Sequence, residues 1–382
     1  MQVHTVSWAE GRWSAPLRPE LDSPQSVVLC FAAPSYLDQP APLRELRATF
    51  PRAELIGCST SGEIHGSKVS DESIAVVILR FDHARVRVAR AALSAGGDSA
   101  AGSRAAGEAL ARALAAPDLK GVMILSDGLL VNGSALVQGV NSVLGHQVVV
   151  TGGLAGDGSA FRRTWVLDEH GEPRPGIVSA LGIYGDRVHM GHGSKGGWDP
   201  FGPERVVTRS EGNVLYELDG KPALELYKSY LGERASGLPA TALLFPLTLR
   251  RGASDRRVVR TILGVDEATQ SLTFAGDIEQ GAHAQLMRAN FDRLVQGASD
   301  AALMTAGKGR DMPVVSIAIS CVGRRLVLGE RIEEETEATL DCLPKGSTQI
   351  GYYSYGEISP FVAGDACDLH NQTMTLTTLA EL

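Results

Sequence analysis

His192 stands between glycines in Gly191-His-Gly-Ser-Lys-Gly-Gly-Trp198. Bare backbone on both sides allows close approach to a flat ligand, Trp198 can stack beside it, and an imidazole so placed is a candidate axial ligand to haem iron. The same string also reads as a polar surface loop in which the histidine has no task. His370 lies in Leu369-His-Asn-Gln-Thr373, where Asn371, Gln372 and Thr373 can hydrogen-bond to it and fix its tautomer. It coordinates iron, touches a small polar ligand, or holds a turn. His283 is a third candidate. With Met287 four residues on, in what reads as one helix from Ala282 to Thr305, it makes either a pocket wall or part of a core stripe.

A second set of residues could hold a small polar metabolite, such as an amino acid, without a metal. Arg209 can clamp a carboxylate, and Glu63 and Glu357 can orient an amine or hydroxyl; Tyr355, Asn371 and His370 add polar contacts. Alternatively these glutamates and the arginine pair with each other or cap the turns. A third chemistry is nucleophilic, with Cys58 as thiol and His370 as its base, though cysteine is equally a common buried residue. Gly152-Gly-Leu-Ala-Gly-Asp-Gly158 has the look of a dinucleotide loop, but that fingerprint needs a following helix and 161–167 reads as strand. No Gly-Lys-Ser/Thr phosphate loop occurs. The expectation is a binding protein rather than an enzyme.

The elements that must position these groups repeat. Leu55-Ile-Gly-Cys-Ser-Thr-Ser-Gly-Glu-Ile64 aligns with Gln349-Ile-Gly-Tyr-Tyr-Ser-Tyr-Gly-Glu-Ile358, each preceded by a helix-length segment and an apolar strand ending in Cys30 or Cys321. A fainter third copy runs from Gly121 through a helix at 134–144 to the turn Gly152–Gly158. Internal repeats on this scale predict an α/β fold with mixed sheets in two related halves, built from duplicated strand-helix-strand units. In order, the chain gives an arm over 1–26, then a half over 27–231 and a half over 232–382. Residues 73–80 and 85–92 read as a strand pair, Asp98 or Ser99 as the cap of an Ala-rich helix, and 232–240 as a linker. The acidic run Glu330–Glu337 reads as the solvated face of a short helix.

The segments Ile56–Ile64, Gly152–Gly158, Val207–Ala223 and Gly351–Thr378 resemble the FIST sensory domain, in both its N- and C-terminal halves. Within that family, Gly191–Pro203 is similar to the branch of nitric-oxide-sensing haem proteins. The resemblance implies a bacterial ligand-sensing protein, in a two-component or related pathway, that regulates a separate histidine kinase or a diguanylate cyclase or phosphodiesterase. Haem is the cofactor so implied, with His192, His370, His283 and Trp198 around it and nitric oxide sensed by displacing or weakening an axial ligand. A metabolite sensor without haem stays open beside it.

Composition narrows the partners. A net charge of −8 argues against broad phosphate neutralisation along nucleic acid. Five widely spaced cysteines with no Cys-x-x-Cys fit reduced thiols better than a disulfide framework or structural zinc. The first residues lack a basic and apolar leader pattern, and no apolar run is long enough to span a bilayer. The expectation is a cytoplasmic chain, able to form a homodimer, whose output passes through a separate partner.

Overall fold

The computed structural model describes residues 1–93, 99–250, 257–306 and 312–382. Three strand-helix-strand units supply its frame. The strands Ser26–Ala32 and Glu54–Ser59 flank the helix Ala41–Thr49 and pair in parallel. Leu119–Ser126 and Val149–Leu154 do the same around the helix Gly133–Leu144, and Val315–Cys321 and Thr348–Ser354 around the helices Val322–Leu328 and Ile332–Asp341. In each unit a later strand returns antiparallel to the first: Ile74–Arg80, Ile177–Tyr184 or Met374–Glu381. Continuous apolar runs such as Ser-Val-Val-Leu-Cys-Phe-Ala form strands buried on both faces. The repeated glycine has a steric cause. A Cβ at Gly57, Gly152 or Gly351 would lie 2.3, 1.9 or 1.7 Å from the carbonyl oxygen of Cys30, Ile124 or Ala318 on the neighbouring strand.

The units exchange strands in a ring. Glu63–His65, just after the second strand of the first unit, pairs with Ile350–Tyr352 of the third. Gly356–Pro360 of the third pairs with Gly152–Leu154 of the second, and Val166 of the second pairs with Cys58 of the first. The C-terminal strand Met374–Glu381 also pairs with Val188–Lys195. The architecture is therefore mixed α/β with several mixed sheets, as the repeats predict. An eight-stranded antiparallel sheet joins 199–222 to 247–288 and carries a core of its own around Leu215, Phe274 and Leu286.

Several local expectations are corrected. Within residues 1–26, read without a regular element, Gln2–Ala9 is a strand on Ile74–Arg80. Arg85–Ala92 pairs with Ile177–Tyr184 rather than with Ile74–Arg80. The segment 282–305 is split: His283–Arg288 alternates between buried and less buried positions and pairs on both sides as a strand. The helix starts only at Phe291, where the Asn290 side chain accepts the Arg293 N–H. Glu335 is not on a solvated face; it is wholly buried against Arg324. Gly232–Gly237 and Ala240–Leu244 form short 3-10 turns. The cap expected at Asp98, or in the Ser99 side chain, lies outside the described residues.

Candidate functional site

The two turn glutamates do the same job at related places. Glu63, 2% exposed, accepts the Thr60 hydroxyl and, at 3.1 and 2.7 Å, the N–H and hydroxyl of Ser73. Glu357, wholly buried, accepts the Ser354 hydroxyl at 2.6 Å and the N–H and hydroxyl of Thr373 at 3.2 and 2.9 Å. Each thus ties its own turn to the residue that opens the returning strand, which is the capping alternative rather than a ligand contact. Burial pushes the Glu63 carboxyl up to about 7 and that of Glu357 up to about 8, with the hydroxyl and amide donors pulling the other way.

Of the residues read for haem, Trp198, His370 and His283 have partners of their own. Gly191 and Gly193 face the helix Phe291–Thr305, where added Cβ atoms would lie 2.5 Å from the Thr305 and 2.0 Å from the Ala301 carbonyl oxygens. The bare backbone admits a helix, not a macrocycle. His192, on the opposite face of its strand, is 8% exposed, and burial lowers its pKa. Its Nδ1 has no hydrogen-bond partner among the described residues. The His370 Nε2 lies 2.8 Å from the Ser359 carbonyl oxygen and therefore carries the proton, and the Phe361 ring covers the imidazole at 4.5 Å. Trp198 donates its indole N–H to the Gln372 carbonyl at 2.9 Å. His370 and Trp198 are thus engaged within the protein, while His192 keeps an unpartnered ring nitrogen. His283 is not on a helix with Met287 but on a strand, 3.5 Å from Glu204.

Of the metabolite set, Glu357 and His370 are cross-strand partners, but the arginine is engaged on another sheet. Arg209 bonds Glu217 at 2.9 Å and lies 4.4 Å over the Tyr216 ring, on the antiparallel sheet. Asn371 donates to the His370 carbonyl and accepts, at 3.5 Å, the N–H of Thr261. Cys58 is fully buried beside the Tyr352 hydroxyl, and burial pushes its thiol up, the reverse of what a thiolate nucleophile needs.

Of the predicted residues, Tyr355 lines a cavity. This space, about 260 Å³, lies between the loop Gly128–Gly133 that leads into a helix, the Phe161–Tyr355 pair, and Asn213, Leu263 and Phe274–Gly276 of the antiparallel sheet. Phe161 stacks on Tyr355 with centroids 4.4 Å apart and planes 13° off parallel. Asp157 builds that stack. Its carboxylate accepts the Phe161, Arg162 and Arg163 N–H groups at 2.8–2.9 Å, holding Phe161 at a φ of 50°, and it accepts the Tyr355 hydroxyl, which also meets the Gly158 carbonyl. Burial, then the hydrogen bond to Asp157, pushes the Tyr355 phenol above its ordinary range, so it stays a donor.

The cavity is mixed in character. Leu129, Phe161 and Leu263 are exposed by 37, 37 and 42% and give it an apolar mouth. Asn132 and Asn213 bring amides, and the helix Gly133–Leu144 ends there with its first amides lacking intrahelical partners. Asn132 caps that helix through the Ala135 N–H at 2.9 Å and donates to Asp277 at 3.1 Å, fastening it to the antiparallel sheet. Sequence reasoning missed Asp157, Phe161, Asn132 and Asn213. The one available signal was Asn132-Gly-Ser134, a helix start.

The comparisons agree with this scaffold. The FIST N domain matches residues 26–221 and the FIST C domain 223–360. The chain belongs to the FIST family, whose domains are associated with sensory roles in signal transduction. An uncharacterised protein of Mycobacterium tuberculosis, Rv0628c, is 24% identical over 366 residues, covering 93% of this chain and 91% of that one. MJ1623, an uncharacterised protein of Methanocaldococcus jannaschii, is 26% identical over 278 residues. That match covers 64% of this chain and 51% of MJ1623, so the chain spans about half the length of that relative. Among solved structures, the cyanuric acid hydrolase of A. caulinodans aligns with 100% of this chain and 98% of its own at 10% identity. The TM-score is 0.37.

Proposed function

We propose that the chain is a sensor for a small amphipathic metabolite of about amino-acid size, bound without haem in the cavity between Asn132, Tyr355 and Asn213, and that occupancy is passed to a separate signalling enzyme. The observation that carries this reading is the cavity itself. Its volume of about 260 Å³ lies just below the roughly 300–1,000 Å³ usual for ligand pockets, room for a small metabolite and not for a porphyrin. Its lining pairs an apolar mouth with a few amide and hydroxyl groups, the usual division between affinity and orientation. Because its walls come from two of the exchanged units and from the antiparallel sheet, a bound molecule would favour whichever spacing of those parts it fits best.

The test is a thermal-unfolding screen against free amino acids, small carboxylates and their amides, with a hemin titration alongside. A ligand of the proposed class at a hundredfold excess over its Kd stabilises by about 2.7 kcal/mol. The gain is expected to fall sharply in Phe161→Ala and Asn213→Ala. A saturable Soret band on adding hemin, with no metabolite response, would sink the reading.

A further inference from the structure

On another face, an open groove of about 830 Å³ runs between the turns 232–244, the helix Val322–Leu328 and the start of the helix Phe291–Thr305. Leu244, Phe291 and Leu326 stand 38, 45 and 43% exposed along it, with Phe245 buried at its base. Its charged lining is two arginines, Arg234 and Arg288, with no carboxylate. Neither guanidinium has a carboxylate partner among the described residues; Arg234 only lies over the Phe245 ring at 5.4 Å. On a chain of net charge −8, where Arg44, Arg85, Arg163 and Arg205 are each paired with an acid, this is a local reversal of sign over exposed apolar surface.

We infer that the groove docks an acidic amphipathic helix of the partner protein. Three exposed apolar side chains match the i, i+3, i+4 and i+7 face of such a helix, and flanking glutamates would meet Arg234 and Arg288. One turn connects the groove to the cavity. Gln372, at a φ of 62°, is 3.4 Å from the Leu243 carbonyl and packs on Gly323 of the groove helix. Asn371 next to it accepts from Thr261, and Arg260 donates to the Leu369 carbonyl at 2.9 Å while packing on Gly276 of the cavity wall. The inference rests on the sensory reading only for the partner being a signalling protein. The peptide assay below reads the groove and the ligand screen reads the cavity, so either can fail alone.

The test is fluorescence anisotropy with a labelled synthetic helix of about 15 residues, leucines on one face and glutamates on the other, and a twin with lysines for glutamates. The acidic peptide is expected to bind saturably, about tenfold more tightly than its twin, and more weakly as salt rises. Arg234→Glu combined with Arg288→Glu is expected to invert the preference, and Leu244→Asp to abolish binding. All the substitutions are at exposed sites, and unchanged thermal unfolding checks the fold. Failure of the acidic peptide to bind, equal binding of the two peptides, or indifference to charge reversal overturns the inference. So does self-association of the chain that Leu244→Asp abolishes, since the groove would then be a homodimer face.

Discussion

Arg324 and Glu335 have no exposed side-chain surface, and an ion pair in that position is held by its full set of partners rather than by attraction alone. Arg324 also donates to the carbonyls of Gly196 and Leu294, while Glu335 accepts the hydroxyls of Ser320 and Tyr353 at 3.0 and 2.7 Å. Glu335→Ala leaves a buried cation without its counter-charge and is expected to cost about 3–5 kcal/mol in urea unfolding. Glu63 and Glu357 work in the opposite sense. Their carboxyls bind protons more tightly in the folded chain, up to about 7 and about 8 from an ordinary 4.5. The stabilisation they give is therefore full below about pH 4.5 and lost as pH rises through their folded values. Unfolding free energies measured across that window should decline less steeply in Glu357→Gln than in the parent chain. An equal slope would mean that Glu357 titrates as an ordinary surface acid does.

Among the elements, the helix Phe291–Thr305 depends on the two glycines that first looked like a ligand slot. A methyl at Gly193 would sit 2.0 Å from the Ala301 carbonyl, so Gly193→Ala must push the helix outward, at about 1–3 kcal/mol. Urea unfolding of that variant measures the cost; a neutral result would show that the contact is slack. The repeats were legible because the same crowding between parallel strands imposes glycine at 57, 152 and 351. The strand exchange was not, since Glu63–His65 and Val166–Leu167 are too short to carry a period. His283–Arg288 reads as helix because Leu286, Phe291, Leu294 and Val295 form most of an apolar stripe, and only pairing with 199–206 and 247–250 decides otherwise. The cavity was legible only at Tyr355, because its other walls come from connections far apart in sequence. The buried partners of Glu335 were equally invisible in an acidic run that reads as surface.

For the whole molecule, the ring of exchanged strands means that neither half holds its own sheets. A fragment of residues 27–231 would leave Glu63–His65, Gly152–Leu154 and Val188–Lys195 without the strands 350–352, 356–358 and 374–381 that complete them. Exposed edges of that kind invite aggregation. Such a fragment is expected to be insoluble or to lack a cooperative thermal transition, and addition of 232–382 in trans during refolding should restore one. A fragment that melts cooperatively by itself would contradict this. The same ring has a consequence during synthesis. With elongation at about 5–20 residues per second, Val188–Lys195 waits on the order of ten seconds or more for Met374–Glu381 to leave the ribosome. For that interval the nascent protein offers an unpaired strand edge to any chaperone within reach.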